Sequence, residues 1–167
     1  GFLRAGDAIA FAGPFEPRLE GSELAKLRGE ALPSELPPVD IATLRAAQAA
    51  IRDAVRAGDL SSAHDVAEGG FLVALAECCL AGDLGATVEL GLNDELERSL
   101  FGESPGSGFV VSGTRDALER LARHVGLDVL GSVGGDALEL TSGDGVRIAV
   151  ALAELRAAHA ALAPLFP

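Results

Sequence analysis

The sequence predicts an α+β domain: a mixed, largely antiparallel sheet with helices packed on it. Three observations carry this. Apolar residues recur with helical spacing after Asp40, after Gly70 and after Thr114. They alternate with period two at Ala86, Val88 and Leu90. Short glycine turns, in place of long crossovers, separate the strands of the last third. The chain has 167 residues, 49% hydrophobic and 23% charged, which suits one domain with a packed core and argues against disorder.

In chain order, residues 7–12 read as a strand closed by Gly13-Pro14, and 28–38, with Pro33, Pro37 and Pro38, read as a connection. A helix starts near Asp40, places Leu44, Ala47, Ile51 and Val55 on one face, and ends at Gly58. The run after Gly69-Gly70 has adjacent apolar stripes, Leu72, Leu75, Ala76 and Cys79 beside Phe71, Ala74 and Cys78. So wide an apolar surface implies burial against a sheet. A half-buried strand spans 86–90 and another 108–112. Thr114 caps a helix lined by Leu118, Leu121, Ala122 and Val125. Strands at 127–133 and 138–140 are joined by Gly134-Gly135-Asp136, which predicts a hairpin between them. Ser142-Gly143-Asp144-Gly145 turns into Val146–Val150, and a last helix carries Leu155, Ala158 and Leu162 and stops at Pro164.

Charge and composition exclude several classes. The balance of 13 basic and 25 acidic side chains gives −12, which repels phosphate backbones and excludes nucleic acid as the main partner. No apolar run reaches the roughly 18–20 residues of a membrane span, and no basic-then-apolar leader opens the chain. Cys78 and Cys79 are neighbours, so they staple no distant segments; a reducing compartment follows. His64, His124 and His159 are scattered and have no cysteine partner, so no metal site is expected.

Two segments can carry chemistry. In Ser61–Phe71, Asp65 and Glu68 match a reciprocal capping pattern loosely, and Gly69-Gly70 follow. Two glycines in the first turns cost roughly 1 kcal/mol each against alanine, so side chains are unwanted there. One reason is tight packing of the helix end on a neighbouring strand; the other is an anion seat of bare N–H groups. Glu68 would compete with a bound phosphate. His64 beside Asp65 invites acid–base chemistry, but strand neighbours point to opposite faces, and a half-buried, hydrogen-bonded His64 is the plainer expectation. The second segment, Leu100–Phe109, holds Gly102, Glu103, Ser104, Pro105, Gly106, Ser107 and Gly108. It can form a nest of N–H groups or a plain turn, and it lacks the lysine and spacing of a nucleotide P-loop. Glu103, its one carboxylate, can orient a hydroxyl or join a metal shell.

Taken together, His64–Phe71, the Ala-Leu-Ala-Glu helix after it, Gly85-Ala86 and Leu100–Ser104 with the strand ending Val110-Val111-Ser112 form an ordered set. With Gly21-Ser22-Glu23, Gly131–Asp136 and the Leu155 helix, that set resembles the second carboxy-terminal domain of phosphoribosylformylglycinamidine synthase. This domain type belongs to the aminoimidazole ribonucleotide synthetase-like superfamily. The chain departs from the family pattern at Ala67 (commonly serine), at Glu20 and Leu24 (frequently glycine and tyrosine), and at Ser107-Gly108, where an arginine is frequent.

The resemblance implies a single C-terminal domain over 1–167, with an opening strand and connection over 1–38 and a main body over 39–167. Since the chain opens on Gly1, a fragment of a longer cytoplasmic enzyme is expected. That enzyme is an ATP-dependent ligase of purine biosynthesis, which phosphorylates the amide oxygen of formylglycinamide ribonucleotide and displaces phosphate with ammonia. ATP, Mg²⁺ and the catalytic side chains are expected in amino-terminal synthetase domains, and a glutaminase domain or subunit supplies the ammonia. No catalytic or metal-binding residue is assigned to this chain. Its substrate and phosphate contacts are expected at Asp65, Gly69, Gly70, Gly102, Glu103, Ser104 and Gly106, with His64 and Ser107 as additional candidates. The rival expectation is a non-catalytic docking domain of this or a related selenophosphate, thiamin-phosphate or hydrogenase-maturation synthetase.

Overall fold

The computed structural model describes residues 1–91, 95–106 and 108–161. The elements are β1 (Ala8–Ala12), α1 (Glu23–Leu27), α2 (Ile41–Arg56), β2 (Leu60–Asp65), α3 (Gly70–Gly82), β3 (Ala86–Leu90), α4 (Leu96–Phe101), β4 (Phe109–Gly113), α5 (Arg115–Leu121), β5 (Leu127–Val133), β6 (Ala137–Ser142), β7 (Arg147–Ala151) and α6 (Leu152–Ala160). The strands form one sheet in the order β2-β4-β1-β5-β3-β6-β7. Every neighbouring pair is antiparallel except β3 with β6, so the mixed α+β architecture is as expected.

Helices cover both faces at one end of the sheet. Strand alternation sends Ala8, Ala10 and Ala12 of β1 toward Ile51 of α2 and Leu118 and Leu121 of α5. Ile9 goes the other way, into a larger cluster with Phe71, Leu75, Cys78 and Cys79 of α3 and Val88, Leu138 and Leu140 of the far strands. Both α3 stripes are therefore used, as their width implied. Burial pushes the Cys78 thiol up to about 12 and that of Cys79 to about 11, so neither is a nucleophile at neutral pH. Toward β7 only one face is covered, and Thr87, Glu89 and Glu139 on the other face are exposed.

The hairpin expected at Gly134-Gly135-Asp136 does not form. β5 and β6 run antiparallel, but β3 lies between them, antiparallel to β5 and parallel to β6. The turn wraps over the mouth of β3: the Gly134 N–H donates to Gly85 O at 2.8 Å and the Gly85 N–H to Gly135 O at 2.9 Å. The four steps from Val133 to Ala137 reach roughly 13 Å, enough to cross two strand spacings of about 4.8 Å each. Gly85 has no space for a side chain there, since a Cβ would stand 2.3 Å from Ala137 O.

Smaller differences have local causes. Val55, assigned to the buried face of α2, is 45% exposed; the buried residues of that face are Ala47 and Ile51. α5 stops at Leu121, and Ala122 is exposed. Two small elements, α1 and β2, were not marked by periodicity; α1 has only five residues and β2 is a mostly polar edge strand. The expected Leu162 and Pro164 at the end of α6 lie outside the described residues.

Candidate functional site

The two chemistry-bearing segments meet. β2 ends at Asp65, and the chain turns through Val66–Glu68 into Gly69, which is the N-cap of α3. The Asp65–Glu68 capping pair is therefore absent: Asp65 closes a strand, Glu68 is exposed, and the α3 N-cap, Gly69, has no side chain with which to accept a hydrogen bond. The cap comes from across the fold. Glu103 Oε1 accepts the Gly69 N–H at 2.8 Å and also the Glu23 N–H at 2.8 Å, at the start of α1. A carboxylate at two helix starts meets orphan donors and the positive dipole ends together.

The Glu103 main chain is held just as firmly. It forms an antiparallel bridge with Arg18, in which each N–H donates to the other's carbonyl at 2.9 Å. Gly102 N–H donates to Arg98 O at 2.8 Å, closing α4. A Cβ on Gly102 would stand 2.3 Å from that same carbonyl and 2.7 Å from Pro17. Ser104 Oγ accepts the Glu16 N–H at 3.2 Å. Residues 16–23, 69–70 and 102–104 are thus one knot centred on Glu103.

The paired glycines have a spatial cause. Gly69 and Gly70 sit at φ of 84° and 77°, in the left-handed region, and Gly70 is buried. A Cβ on Gly70 would lie 2.8 Å from Gly102 O, Leu100 O and Phe101 C, so α3 begins in backbone contact with the end of α4. The Gly70 N–H donates to Ala67 O at 3.2 Å. The amides of Gly69, Gly70, Gly102 and Glu103 therefore all have acceptors inside the chain. An anion seat at the α3 mouth is filled by the chain's own carboxylate. Among the described residues the Gly106 amide has no acceptor; Ser107 lies outside them.

His64 is half-buried. Its Nδ1 is 2.6 Å from Asp65 O, and its Nε2 is 3.3 Å from a Glu77 carboxylate oxygen on α3. It ties β2 to α3 and stands apart from the Glu103 knot. His124 and His159 are exposed. Among the described residues no group of three or more His, Cys, Asp or Glu side chains is placed to hold a metal ion, and no helix is long and apolar enough to cross a membrane.

Beside the knot runs a groove of about 760 Å³ lined by Glu16, Arg18, Glu20, Glu95, Glu97 and Arg98. Arg28 pairs with Glu97 through two hydrogen bonds of 2.9 and 2.7 Å, which holds the Glu97 carboxyl below its usual range, and Arg98 pairs with Glu95. Arg18 has no side-chain partner among the described residues, so it is the groove's uncommitted cation. Sequence reasoning missed Arg18 and the capping of Ala25 N–H by Ser22 Oγ at 3.2 Å. Ser22 followed by Glu23 was the available signal for that helix start; nothing local marks Arg18.

The fold and this knot define a domain of a known class, an α+β sheet with glycine-rich loops gathered at the mouth of a buried helix. The chain belongs to the family described as "AIR synthase related protein, C-terminal domain", which it matches over residues 4–141. It is 41% identical over 143 residues to phosphoribosylformylglycinamidine synthase subunit PurL of Moorella thermoacetica, covering 83% of this chain and 19% of that protein. It is 37% identical over 163 residues to the subunit of the same name from an Anaeromyxobacter species, covering 89% and 21%. The chain thus spans about a fifth of the length of these curated relatives. Among solved structures, T. maritima PurL complexed with FGAR superposes with a TM-score of 0.71 at 22% identity, over 92% of this chain and 28% of that one. A HypE–HypF complex superposes with a TM-score of 0.60 at 17% identity, over 89% and 53%. These two establish shared fold.

Proposed function

We propose that the chain is the C-terminal domain of a phosphoribosylformylglycinamidine synthase and forms one wall of its substrate cleft. The observation that carries the reading is the relatives' 37–41% identity over most of this chain. The parent enzyme is a cytoplasmic, ATP-dependent ligase that converts formylglycinamide ribonucleotide to the amidine with ammonia from a glutaminase domain or subunit. In this reading ATP and Mg²⁺ belong to its amino-terminal domains.

The wall is a frame with an edge. Asp65, Gly69, Gly70, Gly102 and Glu103 set the frame, and Ser104, Gly106 and Arg18 present the edge to a substrate phosphate. Ser104 has a hydroxyl proton to give and Gly106 a bare N–H, both on one pocket, and Arg18 offers a guanidinium in the groove beside the knot. Ser107 follows this edge in sequence and His64 adjoins Asp65; neither is part of the contact proposed.

The test is steady-state kinetics of the full-length polypeptide with formylglycinamide ribonucleotide, ATP and an ammonium salt. Turnover is expected. Arg18→Ala should raise the KM for the ribonucleotide about tenfold with kcat little changed, as loss of one charge-assisted hydrogen bond does. No turnover by the full-length polypeptide would overturn the assignment. Unchanged kinetics for Arg18→Ala and Ser104→Ala would leave the docking role in its place.

A further inference from the structure

We propose that residues 27–41 form a docking arm for another domain of the same polypeptide, a surface that seats the rest of the synthase beside the Glu103 knot; this rests on the reading above. Nine large apolar side chains are exposed among the described residues, and five of them fall in this arm: Leu27, Leu32, Leu36, Val39 and Ile41. The leucines are 75–88% exposed. No helix or strand forms between α1 and α2. Pro33, Pro37 and Pro38 keep the arm out of helix, because each proline fixes its own φ and keeps the preceding residue out of the helical region. Leu32 and Leu36, each directly before a proline, stand exposed.

The middle and the far end of the arm lie next to the candidate site. Pro33 Cδ lies 3.2 Å from where a Gly21 Cβ would be, in the 16–23 segment. Pro38, Val39 and Asp40 line a shallow pocket with Phe15, Ser104 and Gly106. An object seated on the arm thus faces the edge that Ser104 and Gly106 present.

The size of the arm selects the occupant. A stable complex of separate chains engages about 20–30 residues and about 800 Å² on each side. Fifteen residues with five apolar side chains fall short of that. They suffice for a tethered domain, because linkage makes the encounter intramolecular at effective concentrations on the order of millimolar. The relatives are about five times as long as this chain, so a tethered neighbour is what such a polypeptide supplies.

Limited proteolysis with a glutamate-specific protease tests this, since Glu30 and Glu35 lie within the arm. Cleavage there should be at least about tenfold slower in the full-length polypeptide than in the 167-residue chain, because protection follows the population of the open arm. Leu32→Asp combined with Leu36→Asp in the full-length polypeptide should restore the fast rate. The same double change in the 167-residue chain should leave its circular dichroism and melting midpoint unchanged, since both leucines are exposed. Equal cleavage of full-length and 167-residue chains would overturn the proposal. So would protection of the 167-residue chain that grows with its own concentration, which would make a second copy the occupant. The readout needs no turnover: an inactive but protected polypeptide would break the proposed function and keep the arm.

Discussion

The starts of α2 and α3 solve one problem in opposite ways. Both helices need an acceptor for their first N–H groups. At α2 the acceptor is Asp40, the N-cap itself, whose Oδ1 accepts Ala42 N–H at 3.0 Å and Thr43 N–H at 3.1 Å. At α3 the cap is a glycine, and the acceptor is Glu103, 34 residues further on. A local cap stabilises one helix. A borrowed cap couples three segments, so its loss should spread through the 16–23 and 102–104 loops as well as α3.

Gly70→Ala strikes the coupled start hardest. The added Cβ must shift three backbone atoms now 2.8 Å away, and the residue must hold φ at 77°. Overpacking costs about 1–3 kcal/mol and a left-handed alanine about 1–2 more, so a loss of roughly 3 kcal/mol is expected in urea unfolding of the chain. A loss below 1 kcal/mol would mean that the α3–α4 contact yields easily, and that the frame is softer than its geometry. Glu103→Ala comes next, at about 2 kcal/mol, because two part-buried N–H groups lose a charged acceptor. Amide hydrogen exchange should then accelerate at both Gly69 and Glu23. Acceleration at Gly69 alone would show that the two helix starts are not coupled through this carboxylate.

The same contrast explains what could be read from the sequence. Asp40 and the α2 stripe were legible because cap, stripe and terminator lie within one helix. The α3 stripe was legible for the same reason, as were the β6–β7 turn and the Thr114 cap, whose Oγ1 accepts Ala117 N–H at 3.2 Å. Gly69-Gly70 were recognised as positions closed to side chains, but the sequence could not distinguish a ligand from the end of α4, because the contact spans some thirty residues. The insertion of β3 between β5 and β6 escaped for a related reason. Gly134-Gly135 meets the local requirements of a hairpin equally well whether one strand spacing is crossed or two. Asp65–Glu68 misled because a capping pattern is local, and here the local acceptor was never used.

Asp40 gives the smallest effect and the cleanest test of a cap that acts alone. Its carboxyl is held below the usual carboxylate range, chiefly by the Thr43 hydroxyl, which donates to Oδ2 at 2.6 Å, and then by the Thr43 and Ala42 amides. A group whose pKa falls on folding adds stability above its unfolded pKa and loses it as pH drops through the folded value. The side chain is solvent-exposed, so the contribution is modest. Asp40→Ala should therefore lower the melting midpoint slightly at pH 7, and the gap from the unmodified chain should close as the pH falls below the carboxylate range. Asp40→Asn keeps an acceptor without the charge, and should sit between the two at pH 7. Exchange should quicken only in the first turn of α2. If Gly69 or Glu23 responded too, α2 would belong to the knot, and the distinction between a local and a borrowed cap would fail.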